Sequence, residues 1–432
     1  MKNLHWFAIA ERGSTVRREI LAGCTTFSAM LYIVIVNPSL LAQGGMDFSG
    51  IYVATILSAA AASLLMGLAA DYPIAAAPGV GLNAYFVYGV IISAGYSWQE
   101  SLGAAVLAGS IFLLLSFTSF CRWMMVAIPE SLKLAIAGGI GLFVSVIGLE
   151  NGKLIVGSPT TVTMVGDLSE PTAFLTLLGL FVTVVLLACR FQGALLVGMG
   201  IVFAVALGLG FAALPTAVFA WPQGLERVAG QVSIALPGSL PMVVFIMFLL
   251  LLFNTTGTLL GIGNQAGLLQ KGHLDNETKA FRAAAAGSFL GSIFGSGLTV
   301  GYVGSGTGTA AGGRTGLTAV VTALLFLLLL FCAPLAQVAA GVPAVTAPAL
   351  ILTGFFMVSG VHSISWTDIT EGIPAFLTIF ITPLSYDILA GTGVGVISYV
   401  ILKLFSGQGR KVHPMLYVLA ILFALQLGLS HS

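Results

Sequence analysis

The chain consists largely of long stretches without a single Asp, Glu, Lys or Arg residue. A helix needs about 20 apolar residues to cross the hydrocarbon core of a bilayer, and the longest stretch has room for two such helices. Charged residues make up 7% of the chain, against about 25% in soluble domains. This scarcity excludes a soluble enzyme and predicts an integral membrane protein. The main charge-free stretches are 20–46, 48–70, 72–99, 101–121, 191–225, 228–270, 283–313 and 315–367.

The apolar runs are continuous rather than alternating, which predicts helices and not the strands of a membrane barrel. Seven spans are predicted in each half of the chain. An odd number inverts the second half relative to the first, as in many secondary transporters. The expected fold is therefore an all-α polytopic membrane protein with a seven-plus-seven inverted repeat. The predicted spans are 20–43, 51–70, 81–95, 102–120, 132–149, 172–189, 193–213, 242–263, 280–296, 303–313, 315–333, 345–361, 373–385 and 387–404.

This pattern divides the chain into five regions. Basic residues favour the cytoplasmic side, so the turns that contain Arg122, Lys271 and Arg314 are expected there. We expect a multi-pass protein of the cell (inner or plasma) membrane with a cytoplasmic N-terminus. The regions are 1–18 (cytoplasmic N-terminal segment), 19–213 (first repeat), 214–240 (external loop), 241–405 (second repeat) and 406–432 (C-terminal apolar extension). The last apolar stretch, 415–430, could either cross the membrane or lie on its surface.

Two apolar segments at matching places in the two halves are broken by Gly and Pro. Such a pair points to a substrate site at the membrane midplane, where each segment is an extended stretch followed by a half-helix. The start of a half-helix has free backbone N–H groups and the positive end of the helix dipole. The candidate site residues in these two segments are Gly81, Asn83 and Tyr85 in the first half and Tyr302, Val303, Gly304 and Ser305 in the second.

Polar residues within spans are costly in hydrocarbon and are usually functional. Asn37 lies in the first span, and Asn254, Thr255 and Thr258 lie in the eighth. An Asn side chain offers both a donor and an acceptor, which suits the edge of a planar heterocycle. Tyr85 and Tyr302 could stack on such a ring. The expected mechanism is alternating access, with Asn254 contacting the edge of the substrate.

No sequence motif indicates catalysis or a cofactor. The chain contains no CxxC, HExxH or GxxxxGK[ST] pattern, and no His, Asp and Glu residues fall together at one depth of the membrane. We therefore expect neither an enzyme nor a metal or cofactor site. The net charge of +1 leaves no basic surface for nucleic acid.

Several long stretches, in the same order, resemble the azaguanine-type (AzgA-like) permeases. They include Tyr32 to Pro38, Ala77 to Phe86, Gly312 to Ala319 and Asp368 to Thr378. Members of this family are nucleobase–cation symporters that import adenine, guanine or hypoxanthine, typically with protons. The resemblance implies a mobile core of segments 1–4 and 8–11, a gate of segments 5–7 and 12–14, and a purine bound between the two half-helices. Many transporters of this fold are homodimers.

The sequence departs from the family pattern at that site. The eighth segment of the family typically reads LFDTxGT, and here Asn254 replaces the Asp. The tenth typically reads AYIES, and here Gly304 replaces the Glu. Because neither residue titrates, proton coupling would need another group. The remaining candidates near span ends are Asp71, Glu150, His362, Asp368, Glu371 and Asp387.

The loss of both carboxylates leaves two kinds of cargo open. A purine base is favoured by the length of the resemblance. A small anion or another polar metabolite is favoured by the neutral site, because helix N-termini without opposing carboxylates attract anions.

Overall fold

The computed structural model describes residues 7–118, 120, 123, 127–158, 161–215, 217–235, 238–270 and 273–429. Within them it has fourteen membrane segments in the predicted order, plus one further helix. Arg122, Lys271 and Pro237 of the predicted turns and loop lie outside the described residues. The segments, numbered in chain order, are Val16–Ala42, Phe48–Ala70, Val80–Ser93, Trp98–Ser116, Glu130–Asn151, Pro171–Ala188, Ala194–Gly208, Leu240–Gln265, Glu277–Phe294, Ser305–Ala310, Gly316–Ala340, Pro343–Ser363, Ile369–Ser385 and Ile388–Phe405.

Three short strand pairs accompany the helices. β1 (Ala76–Pro78) pairs with β6 (Thr299–Gly301), so the two strands join the two halves of the chain. β2 (Ile155–Ser158) and β3 (Val162–Val165) form a hairpin after segment 5. β4 (Leu269–Gln270) and β5 (His273–Leu274) form another after segment 8.

Segment 1 is two helices, Val16–Met30 and Ile33–Ala42, separated at Leu31 and Tyr32. Segment 2 begins where the Asp47 carboxylate accepts from the backbone N–H of Gly50 at 2.8 Å. It ends at Asp71, whose positive φ of 56° stops the helix. Segment 3 is α-helical over Val80–Ala84 and widens to a π-helix over Tyr85–Ser93. π-Helical turns are rare and often occur at functional sites.

The segments pack in two groups. Segments 1, 2, 4, 8, 9 and 11 pack around β1, β6 and the half-helices of segments 3 and 10, and we name these eight segments the core group. Segments 5, 6, 7, 12, 13 and 14 pack against one another and are named the gate group. Small residues allow close contacts within the core group, as is common in membrane helices. A Cβ on Gly316 of segment 11 would overlap the carbonyl oxygen of Gly67 in segment 2.

The loop between segments 7 and 8 lies on the core group. Ser233 donates its backbone N–H to the Gln99 carbonyl at 3.0 Å, and Gly230 donates to the Ile293 carbonyl at 2.9 Å. Arg227 forms an ion pair with Asp47 at 3.1 Å. These contacts fasten the described part of the loop to segments 2, 4 and 9.

The C-terminal helix, Pro414–Leu429, runs back along segment 14. The Tyr417 hydroxyl donates to the Gly409 carbonyl at 2.9 Å, near the point where segment 14 ends. Farther along, the Phe423 ring lies 3.1 Å from the Cβ position of Gly393, five residues after segment 14 begins. This antiparallel packing favours a further crossing of the membrane over a helix lying on its surface.

A buried ion pair joins three segments of the gate group. Lys403 of segment 14 has a 5% exposed side chain, and its ammonium lies 2.7 Å from the carboxylate of Glu371 in segment 13. Glu371 also accepts from the Ser131 hydroxyl of segment 5 and from the Tyr399 hydroxyl at 3.3 Å. Asp368 lies 3.8 Å from the same ammonium.

We expect Glu371→Leu to lower the melting temperature of the detergent-purified protein by several degrees. Removing one partner leaves the buried ammonium of Lys403 without its close carboxylate, which costs about 3–5 kcal/mol. The double variant Glu371→Leu/Lys403→Met removes both charges and is expected to recover most of the loss. A single variant as stable as the parent protein would show that the pair does not hold these segments together.

Candidate functional site

The centre of the core group is the antiparallel pair of β1 and β6. Ala76 faces Gly301, and Pro78 faces Thr299. Two more backbone bonds extend the pair, from Gly79 to Leu298 and from Tyr302 to Ala75, each at 2.9 Å. The half-helices of segments 3 and 10 follow these strands, so both begin near one ribbon. The predicted pair of extended stretches followed by half-helices is present.

Each half-helix begins with backbone N–H groups that have no partner among the described residues. In the described part of the chain, no carbonyl accepts from Val80, Gly81 or Leu82 of segment 3. None accepts from Val303 or Gly304 before segment 10. The sequence also predicted a free N–H at Ser305, but this group donates to the Tyr302 carbonyl at 2.9 Å. Orphan N–H groups at helix starts are available to acceptor atoms of a ligand.

Asn37 and Asn83 lie behind the strands, fully buried, and bond to each other. The Asn83 amide donates to the Asn37 side-chain oxygen at 2.7 Å and to the Ser296 carbonyl at 3.0 Å. The Asn83 oxygen accepts from Leu298 N–H at 2.9 Å. Asn37 in turn donates to the Thr55 hydroxyl at 2.8 Å. Protein groups thus use both amides, and the geometry gives them a role in holding the strands.

Serine side chains hold the strands in a similar way. The Ser305 hydroxyl accepts from Ala75 N–H at 3.0 Å and lies 3.2 Å from the Ala75 carbonyl. Ser63 of segment 2 makes the same pair of bonds to Ala76, at 2.9 and 3.0 Å. The two hydroxyls therefore bond the backbone of two consecutive residues at the start of β1.

Asn254 is the predicted site residue whose amide stays available. It is half-buried in segment 8, and its oxygen lies 3.5 Å from the Thr258 hydroxyl, which itself lies 3.2 Å from the Gly301 carbonyl. Among the described residues, no group accepts from the Asn254 NH2. About one and two turns farther on, a Cβ on Gly257 or Gly261 would have no heavy atom within 4 Å. This face of segment 8 is open beside β6.

The two predicted aromatic residues differ in their accessibility. The Tyr85 ring is 2% exposed and packs over Gly89, whose Cβ would lie 2.5 Å from it. Tyr302 is half-buried beside Val303, which is 68% exposed. Tyr302 is therefore the better placed of the two rings to contact a ligand. Thr255 is buried in segment 8.

Gly304 has room for a small side chain only. Its Cβ position lies 3.3 Å from Met30 Cγ and 3.4 Å from Tyr302 Cδ1. Its backbone φ of −55° is ordinary, so the absence of a side chain is not a backbone requirement. Glycine at this position opens space between segments 1 and 10.

The ionisable candidates for proton coupling all lie at span ends. Asp71 follows segment 2, where it accepts from Gly316 N–H at 2.7 Å and pairs with Arg12 at 3.4 Å. Burial raises the pKa of the Asp71 carboxyl. Asp368 caps segment 13, and hydrogen bonds from Thr370 lower its pKa. Asp387 caps segment 14, Glu371 pairs with Lys403, and Glu150 and His362 lie in the last turns of segments 5 and 12.

Sequence analysis missed a buried carboxylate at the start of segment 1. Glu19 is fully buried and accepts from Arg314 N–H at 2.9 Å and from the Thr318 hydroxyl at 2.6 Å. The Arg314 guanidinium donates to the Thr309 carbonyl at 2.6 Å. The bonds of Glu19 join segment 1 to segment 11, and the bond to Thr309 places Arg314 at the last turn of segment 10, away from its start. A carboxylate that directly follows Arg17 and Arg18 gave no sequence signal of burial.

Most of the chain matches a known family of membrane proteins. Residues 17–393 match the model of the Permease family, Xan_ur_permease. The chain belongs to the permease family. The permease is accordingly a multi-pass membrane transporter and not an enzyme.

Curated relatives cover the permease over nearly its full length. It is 38% identical over 432 residues to the guanine/hypoxanthine permease PbuO of Bacillus subtilis. The matched region covers 98% of this chain and 99% of PbuO. It is 39% identical over 424 residues to the adenine permease AdeP of Escherichia coli. The matched region covers 98% of this chain and 95% of AdeP. The predicted resemblance to purine permeases is confirmed.

Solved structures share the fold of the permease at much lower identity. The transmembrane domain of the cyanobacterial bicarbonate transporter BicA matches with a TM-score of 0.63 at 14% identity, covering 88% of this chain and 97% of that domain. The murine Slc26a9 anion transporter matches with a TM-score of 0.63 at 13% identity, covering 93% and 71%. These matches confirm the inverted-repeat fold and carry no information about the cargo.

Proposed function

We propose that this permease carries a purine-type nucleobase across the cell membrane by alternating access. The observation that carries the proposal is the open amide of Asn254, which Thr258 connects to Gly301, two residues before the unpaired N–H groups at Val303 and Gly304. A purine presents ring nitrogens and exocyclic oxygen as acceptors, and N–H groups as donors. The Asn254 amide can serve both, since it contains a donor and an acceptor. The names of the relatives PbuO and AdeP point to the same class of substrate.

A small anion is the weaker candidate. Backbone N–H groups would suit it, but an anion such as sulfate has no donor for the Asn254 oxygen. The site would also supply no positive side chain, because segments 1, 3, 8 and 10 contain no Lys or Arg beyond the first turns of segment 1.

The test is ligand-induced thermal stabilisation of the purified protein. The panel consists of adenine, guanine, hypoxanthine, xanthine, uracil, sulfate and oxalate. A ligand at a hundred times its Kd stabilises the folded state by about 2.7 kcal/mol. Stabilisation by one or more purines supports the proposal. Stabilisation by an anion with no response to any base would overturn it.

We propose that the binding step uses no side chain that titrates near neutral pH. The charge-free stretches 20–46, 72–99, 228–270 and 283–313 include the half-helices and the segments beside them. The Kd for adenine is expected to change less than about twofold between about pH 6 and about pH 8, a range in which a site histidine would titrate. Isothermal titration at both pH values measures this. A tenfold change would mean that an ionisable group contacts the base.

Proton coupling, which the family resemblance implies, would then depend on a span-end group. Asp71 is the best supported, because it is partly buried and bonded to segment 11 of the core group.

We also propose a cell-membrane location with the N-terminus in the cytoplasm. Arg12, Asp71 and Arg314 meet at one end of the core group, as expected if these basic residues face the cytoplasm.

A further inference from the structure

Three hydroxyl groups form a hydrogen-bonded chain beside the candidate site, and they come from segment 1, from the residue that follows β6 and from segment 12. The Tyr302 hydroxyl lies 2.6 Å from the Tyr32 hydroxyl. The Tyr32 hydroxyl lies 3.2 Å from the Thr353 hydroxyl. Thr353 belongs to segment 12 of the gate group, whereas the two tyrosines belong to the core group. This hydrogen-bonded chain of hydroxyls therefore crosses the interface between the core group and the gate group.

The direction of donation along this chain follows from the last bond. The Thr353 hydroxyl donates its proton to the Ala349 carbonyl at 2.7 Å, as a helical Thr often does. It must therefore accept from Tyr32, since a hydroxyl has one proton. Tyr32 has then used its own proton, so it accepts from Tyr302. The Tyr302 oxygen consequently faces a ligand only as an acceptor.

The position of Tyr32 makes it suited to this role. It lies at the break between the two helices of segment 1 and is 4% exposed. The Tyr32 and Tyr302 rings are 6.2 Å apart and inclined at 58°. Packing thus restrains the Tyr32 ring. The Tyr32 hydroxyl in turn restrains the Tyr302 hydroxyl through their hydrogen bond. Val303, the residue after Tyr302, is exposed.

We propose that Tyr32 is a positioning residue that makes the orientation of Tyr302 at the site depend on the position of segment 12. In this conformation Tyr32 bonds both residues. If the gate group moves along the core group, the bond from Tyr32 to Thr353 breaks and the hydroxyl of Tyr32 can reorient. The role of Tyr302 toward substrate rests on the proposed function, but the bond across the interface does not.

The first experiment measures conformation without substrate. Val303→Cys, in a background with the four native cysteines replaced by serine, is labelled with a membrane-impermeant maleimide. Thr353→Val and Tyr32→Phe each remove the bond across the interface. Each is expected to change the labelling rate roughly threefold to tenfold, the effect of one neutral hydrogen bond on a two-state equilibrium. Tyr52→Phe is the control, since Tyr52 donates to Leu329 within the core group at 2.7 Å.

The second experiment uses ligand affinity to distinguish the bond between Tyr32 and Tyr302 from the bond between Tyr32 and Thr353. Tyr32→Phe leaves the Tyr302 hydroxyl without its acceptor and is expected to raise the Kd for the purine found in the panel by roughly threefold to tenfold more than Thr353→Val does. Labelling rates in both variants equal to that of the Val303→Cys parent would overturn the proposal, as would equal Kd values. If no purine binds, the proposed function fails, while the labelling result still tests the bond across the interface.

Discussion

Replacing Asn254 with alanine is expected to weaken purine binding by about 30- to 100-fold. Of the three predicted site asparagines, Asn254 alone has an NH2 group with no acceptor among the described residues, and Thr258 connects it to Gly301, two residues before Val303. Its loss leaves donors and acceptors of the bound base unpaired, which costs about 2–3 kcal/mol. The fold should be unaffected, because Thr258 keeps its contact with Gly301. Isothermal titration gives the affinity, and a melting curve checks the fold.

Asn264→Ala is the matched control on the same helix. Asn264 is exposed on segment 8 and lies ten residues after Asn254, about 15 Å along the helix axis. It should therefore leave the Kd unchanged. An Asn254→Ala variant that binds purines as the parent does would remove Asn254 from the site and with it the main support for a heterocyclic cargo.

Replacing Asn83 with alanine is expected to destabilise the protein by about 3–5 kcal/mol. The side chain bonds Asn37, Ser296 and Leu298 at full burial. Its removal leaves the Asn37 oxygen and the Leu298 N–H buried without partners, each costing about 1–3 kcal/mol. A cavity adds to the loss. The measurement is the melting temperature in detergent.

The contrast between the two asparagines distinguishes a framework role from ligand contact. Asn83→Ala should lower the melting temperature strongly, whereas Asn254→Ala should change only the affinity. The Asn37→Ala/Asn83→Ala double variant should lose less than the sum of the single variants, because both side chains belong to one network. A stable Asn83→Ala protein that has lost purine binding would instead place Asn83 in contact with substrate.

The half-helices could be predicted from sequence because their cause is local. The run from Pro73 to Gly81 and the glycines from Gly295 to Gly308 are poor helix formers, and the structure has extended strands within both stretches. The break in segment 1 at Tyr32 was not predicted, although Pro38 lies only six residues away. Nothing near Tyr32 in the sequence indicates a helix end.

The sequence by itself determined the membrane class, the order of the segments and the two half-helix starts, because hydrocarbon selects apolar runs and Gly and Pro interrupt helices locally. Only the tertiary structure decided which polar residues are already paired. Asn83 and Leu298 are 215 residues apart, yet their bond occupies the side-chain oxygen of a residue that the sequence placed at the substrate site. Asn254 remains open for the same kind of reason, since no described neighbour reaches its NH2. A sequence shows which side chains can donate or accept, whereas the fold determines which partners come within hydrogen-bond distance.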